Sequence, residues 1–277
     1  MLDAVLAVTL AAVLDHAAHY VAQFQRELSS FVAEEQYRQD WTQLPKNGWS
    51  PEWARHRELV SDLFLVKVGD DWLQVRDARD MDGLPLARRG NPILDAVRNH
   101  EDTASLDPDE VVDLSAAYNL GDFVRTVNTP LFALKFLEAA NQQRCRFKFV
   151  PDRLPATVAA QADVPGAFRT STEVWVVEYQ ERERPTIMRD KHVGGKNVPA
   201  RGRFWIEADS GRVFMSEIVV DNRTVRATID VSYQSQPVRG LLLPVEMREW
   251  YEAKKTGSKV QTIARYGRFR ENHDIQE

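Results

Sequence analysis

The sequence predicts an α+β fold in which one large, twisted antiparallel sheet wraps around helices. Three observations predict it: apolar residues at helical spacing near the N-terminus, helix-start signals between residues 90 and 140, and a run of strand-like segments joined by short turns from residue 171 to residue 270. Strands joined by short turns pair antiparallel. The N-terminal half has too few strands for a sheet of its own, so we expect residues 1–277 to form a single domain.

The N-terminal segment, residues 1–40, is predicted to contain one long amphipathic helix over residues 3–37. Its apolar residues step by three or four positions, as one face of a helix requires: Leu6, Leu10, Val13, Ala17, Tyr20, Phe24, Leu28 and Phe31. The apolar run 4–14 is shorter than the roughly 20 residues that span a bilayer. No Lys or Arg precedes this run, so it is not a convincing signal peptide.

Residues 40–57 are rich in Trp, Pro and Gly and are predicted to be a loop or a tucked arm, whose Trp41, Trp49 and Trp53 either stack on a partner or cover the edge of a core. Residues 58–68 and 72–81 then predict a hairpin that turns at residues 69–71. Between residues 90 and 140 we expect a helical insertion. Pro92 and Pro108 suit first helical positions, and Asp107 is a suitable cap.

Residues 171–270 predict an antiparallel meander. The clearest alternation runs from Arg223 to Tyr233, where every second residue is apolar, as in a half-buried strand. The other predicted strands are 173–180, 202–207, 212–220, 241–252 and 259–270.

The amino-acid composition limits the kinds of partner and of chemical site that the chain can have. The net charge of −5 argues against a nucleic-acid partner, and the single cysteine, Cys145, excludes an intrachain disulfide and a multi-cysteine metal site. His16 and His19 lie three apart without a complete set of ligands, and Gly194-Gly195-Lys196 lacks the Ser or Thr of a phosphate loop. We therefore predict no catalytic residues, no metal and no cofactor. The paired charges Glu34-Glu35 and Arg88-Arg89 are expected to be solvated, with the arginines available to an anionic partner.

Several motifs in the C-terminal half resemble those of a known superfamily. Phe204-Trp205-Ile206-Glu207 is followed by a turn at Gly211 and later by a strand that reads GLLLPVEM from Gly240 to Met247. This pattern resembles the C-terminal sheet of the lipoprotein-carrier superfamily, the LolA/LolB-like proteins. The segments FVAEEQYRQ (31–39), YNLG (118–121) and RTVNTPLFALKFL (125–137) look like those of uncharacterised secreted bacterial proteins with the same tail.

The resemblance implies a half-open antiparallel barrel with helices over its concave face, and a periplasmic or secreted location. It implies a non-enzymatic envelope protein that binds a lipid or a lipoprotein acyl chain. An RseB-like sensor or scaffold that binds another envelope protein is the alternative, and an enzyme is the third possibility. The sheet residues that would line an apolar cavity are Phe204, Ile206, Val225, Ile229, Val231, Val245 and Met247. From sequence alone, side chains fill this space as readily as a ligand does.

Overall fold

The computed structural model describes residues 9–43, 53–87, 90–99, 101–121, 125–151, 173–190, 195–235 and 241–271. The helices are α1 (Leu10–Leu28), α2 (Pro92–Arg98), α3 (Pro108–Ala116) and α4 (Ala139–Gln142), with a 3-10 helix at Phe132–Leu137. The strands are β1 (Phe31–Gln43), β2 (Trp53–Val68), β3 (Asp71–Met81), β4 (Leu84–Pro85), β5 (Cys145–Val150), β6 (Val174–Glu181), β7 (Arg189–Asp190), β8 (Lys196–Asn197), β9 (Arg201–Glu207), β10 (Val213–Asp221), β11 (Val225–Ser235), β12 (Leu242–Ala253) and β13 (Lys259–Glu271). None of the helices among these residues is long and apolar enough to cross a membrane.

Eleven of the described strands form one sheet in the order β4-β3-β2-β1-β13-β12-β11-β10-β9-β6-β5. The pairings whose register is defined are all antiparallel, while β7 and β8 form a separate small ribbon. The predicted α+β class with a large antiparallel sheet is therefore confirmed. The sheet joins strands from both ends of the chain, because β1 pairs with β13.

The first of two compact units comprises residues 1–23, 133–219 and 232–243. Its core is aromatic: the ring centroid of Tyr179 lies 4.9 Å from that of Phe204 and 4.7 Å from that of Phe136. Helix α1 packs on this unit through His16, whose Nδ1 lies 2.9 Å from the carbonyl oxygen of Ala208.

The second unit comprises residues 24–132, 220–231 and 244–277. Its apolar core joins strands β1–β3 to the helices α2 and α3. The register places Val32, Phe64 and Val75 side by side on one face, and Ile93, Val97 and Val111 of the helices pack against them. The opposite face of β1–β3 carries the polar residues described below, because neighbouring residues of a strand point to opposite faces.

The predicted helix over residues 3–37 is wrong beyond Leu28. Helix α1 ends there, and Phe31 begins strand β1. The hydroxyls of Ser29 and Ser30 each donate a 2.8 Å hydrogen bond back to a carbonyl of the last turn, which competes with further helix. From Ala33 onward burial alternates every second residue. Phe31 fits both the helical and the strand period, so the helical spacing of apolar residues extends past the end of α1. Residues 1–8 lie outside the described part.

The predicted arm over residues 40–57 is also wrong at both ends, since Trp41 lies in β1 and Trp53 in β2. Trp49 lies outside the described residues. The hairpin of β2 and β3 is confirmed. In the insertion, Asn91 and Asp107 cap α2 and α3, and Pro92 and Pro108 occupy their first turns as predicted.

Candidate functional site

Two of the seven predicted cavity residues, Phe204 and Ile206, lie in the first unit on strand β9. Both side chains are fully buried. The register places Phe204 beside Val177, and Ile206 beside Trp175, on the neighbouring strand β6. Tyr179 stacks on Phe204, so protein side chains occupy this part of the space around Phe204.

The other five predicted residues lie on β11 and β12, and all five belong to the second unit. On the outer face of these strands, Arg226 pairs with Asp221 at 3.5 Å and with Glu252 at 3.9 Å. Since side chains alternate along a strand, the opposite face carries the predicted residues, which therefore share one face. Ile229, Val231 and Met247 are buried, whereas Val225 and Val245 are half-buried. That they line a ligand cavity stays a prediction.

The same face of the second unit carries two ion pairs that the sequence analysis missed. The first joins Arg76 of β3 to Glu35 of β1. The guanidinium Nη2 lies 2.9 Å from Glu35 Oε1, and Nε donates to Glu35 Oε2. Nη1 donates to the carbonyl oxygen of Ser115 at 2.8 Å. Both side chains are buried, so the expectation that Glu35 is solvated is wrong.

The second ion pair joins Arg125, in the segment after α3, to Glu249 of β12. Arg125 Nη1 lies 3.3 Å from Glu249 Oε2 and 2.7 Å from the hydroxyl oxygen of Tyr37, which donates to Glu249 at 2.7 Å. Glu249 also accepts hydrogen bonds from the hydroxyls of Thr262, at 2.5 Å, and Tyr251, at 3.0 Å. We call Glu35, Tyr37, Arg76, Arg125 and Glu249 the buried ion-pair cluster.

Two members of the cluster, Arg76 and Tyr37, have pKa values shifted away from neutral pH. Burial opposes the charge of Arg76, but the carboxylate of Glu35 outweighs it and raises the pKa of Arg76. Burial likewise raises the pKa of the Tyr37 hydroxyl, so neither group titrates near neutral pH. Within the described residues two buried polar atoms beside the cluster have no hydrogen-bond partner, Arg125 Nε and Ser61 Oγ.

A groove of about 600 Å³ opens on the first unit, over strands β5, β6, β9 and β10. The register aligns Lys148, Glu178 and Arg203 across three strands, and aligns Arg146, Gln180 and Arg201 in the adjacent row. Arg182 is the remaining cation of the lining. Five cationic and two acidic side chains therefore meet around one opening.

The remaining sequence candidates have ordinary surroundings. Cys145 is half-buried in β5, and burial, with Glu181 beside it, raises the pKa of its thiol to about 12, so it is no ready nucleophile. His19 is exposed and bonds to the carbonyl oxygen of Asp15. Across the described ranges no cluster of three or more His, Cys, Asp or Glu residues could hold a metal ion. Arg88-Arg89 lie outside those ranges.

The chain has distant likenesses among solved structures. No family model and no curated protein matches the chain. A solved domain described as an outer membrane lipoprotein-sorting protein, from Vibrio parahaemolyticus, is 13% identical over 93% of each chain, with a TM-score of 0.37. A LolA superfamily protein from Nitrosomonas europaea is 10% identical over 95% of this chain and 94% of its own, with a TM-score of 0.32. Both proteins are of the group that the sequence motifs resemble. Likenesses this weak carry no argument about what the chain binds.

Proposed function

We propose that this chain is a non-enzymatic envelope protein that binds an apolar ligand, a lipid or an acyl chain, against the apolar residues on one face of strands β11 and β12. The observation that supports the proposal is the pair of half-buried valines, Val225 and Val245, on the same face as the buried Ile229, Val231 and Met247. Covering half-buried apolar side chains with a hydrocarbon chain is favourable, by about 0.8 kcal/mol for each buried CH₂ group.

The polar residues on this face support a binding role rather than catalysis. The carboxylates of Glu35 and Glu249 are engaged by arginines and hydroxyls. Burial raises the pKa values of Tyr37 and Tyr251 above their usual values, so neither hydroxyl is suited to act as an acid or base near neutral pH. The envelope location is inferred from the motif resemblance between Gly202 and Met247.

Replacement of Val245 by Gln tests the proposal. Its half-buried side chain would contact the ligand, and the loss of its apolar contact is expected to weaken binding of a dansylated fatty acid about tenfold. The fluorescence of the dansyl group, titrated with the purified full chain, reports the affinity.

Ile263→Gln is the matched control for this substitution. Ile263 is half-buried on β13 and lies beside Arg248 in the register, on the face opposite Met247. We expect Ile263→Gln to leave the affinity unchanged. Equal affinity of the Val245→Gln variant and the unmodified chain, or no binding by either, would contradict the proposal.

The alternative is a partner protein instead of a small ligand. Two large apolar side chains of the second unit support it, since Trp53 is 57% exposed and Leu84 is 70% exposed. Exposed apolar groups of this size are often buried by partners, although isolated ones are also common on protein surfaces. The half-buried valines favour the small ligand as the main proposal.

A further inference from the structure

The basic groove of the first unit concentrates positive charge on an acidic chain. The whole chain carries a net charge of −5, yet the groove lining holds three more cations than carboxylates. A cleft lined by one sign of charge focuses its field and raises the local concentration of counter-ions. The groove therefore favours an anionic occupant.

Among the described residues, most of this charge is not engaged in ion pairs. Arg203 forms a two-point ion pair with Glu217, with distances of 3.1 Å and 3.0 Å. Within the described residues, the other four cations of the lining form no ion pair: Arg146, Lys148, Arg182 and Arg201. Three of the four are arginines, whose planar forks match phosphate oxygens two at a time.

The register sets the spacing of these cations. Arg146 on β5 and Arg201 on β9 both pair with Gln180 of the strand between them. Two strand spacings separate their backbones, which is about 10 Å. Long side chains on either side of that gap can reach one multiply charged group between them, and the amide of Gln180 lies in the same row to supply a further hydrogen bond.

We propose that this groove is an anion site that binds a phosphate-bearing group. The next row along these strands holds Val176 and Trp205, which are apolar and buried. The anionic part of a ligand therefore contacts only the two polar rows of the groove. The residues of this groove differ from those of the function proposed above, and the proposal does not depend on that function.

The double substitution Arg146→Ala/Arg201→Ala tests the proposal, with inorganic pyrophosphate and phosphatidylglycerol vesicles as separate probes. Hydrogen bonds to charged groups are strong, so we expect at least a tenfold loss of affinity for the probe that binds, measured by calorimetry or by vesicle sedimentation. Pyrophosphate binding assigns a soluble phosphate compound, and binding to the vesicles alone assigns a lipid headgroup. Bound pyrophosphate should also raise the unfolding temperature of the unmodified chain.

Two further variants keep the result interpretable. Arg223→Ala/Lys255→Ala removes the same charge from exposed residues outside the groove lining and should leave binding intact. Lys148→Ala/Arg182→Ala removes the other two cations and should cause the same loss of affinity. It replaces the first double substitution if that variant does not fold. Failure of the unmodified chain to bind either probe, or an equal loss in the Arg223→Ala/Lys255→Ala control, overturns the proposal. Aggregation of the groove variants without any anion binding would instead assign the cations to protection of the edge strand β5.

Discussion

Arg125 shows how much a single side chain can organise in the second unit. Its guanidinium donates to the hydroxyl of Tyr37, to Glu249, to Gln39 and to the carbonyl oxygen of Leu120. Burial of a charge is costly unless it is paired and hydrogen-bonded, and these acceptors offset the cost. Arg125 thus ties the segment after α3 to strands β1 and β12.

Replacement of Arg125 by Met is expected to lower the free energy of unfolding by about 3–5 kcal/mol, because Glu249 would remain buried without its cation. Urea unfolding of the purified chain measures the change. Arg38→Met is the control, since Arg38 pairs with Asp40 at 3.2 Å in an exposed position and should change stability by less than about 1 kcal/mol. Similar losses of unfolding free energy in the two variants would show that the buried ion pair contributes no more to stability than an exposed one.

At the scale of single residues, the sequence indicated the buried apolar positions better than the buried charges. Ile229 and Val231 are buried as their alternation predicts. Glu35 and Glu249 also occupy apolar-facing positions, between Ala33 and Tyr37 and between Met247 and Tyr251. That placement was the available signal. Their partners, Arg76 and Arg125, are distant in sequence, so no local pattern shows that the carboxylates are neutralised.

At the scale of elements, the strands from β9 to β13 were predicted to within one or two residues, because tight turns separate them and alternation marks them. The boundary between α1 and β1 was missed, since Phe31 satisfies both the helical and the strand period. The helical insertion predicted between residues 90 and 140 includes Leu131, Leu134 and Leu137, which lie three residues apart. The structure places most of that segment in a 3-10 helix, in which residues three apart align.

Gly202 on β9 fixes how closely two strands approach. A methyl group there would overlap the carbonyl oxygen of Glu217 and lie 2.9 Å from Tyr179 Cε1. We expect Gly202→Ala to lower the free energy of unfolding by about 1–3 kcal/mol through overpacking, as measured by urea unfolding. Gly267→Ala on β13 is the control, because no atom lies within 4 Å of the added carbon. A neutral Gly202→Ala would mean that the strands separate without cost.

At the scale of the whole molecule, the strand order joins segments from the start and the end of the chain into one sheet. The predicted meander of residues 171–270 accounts for part of this order. The pairing of β13 with β1 was not predicted. Long-range pairing of this kind leaves no local trace in a sequence. The chain also separates positive charge into one groove, which a net charge of −5 conceals. That the chain is a single domain stays a prediction.

The central claim is that the chain holds an apolar ligand. It is tested most directly by organic extraction of the purified full-length protein followed by mass spectrometry, with an unrelated protein purified in parallel as the blank. We predict a compound with an acyl chain, near one equivalent per chain, that is depleted in the Val245→Gln variant and retained in Ile263→Gln. Extracts indistinguishable from the blank, together with recovery of a cross-linked envelope protein, would contradict the claim and favour the partner-binding alternative.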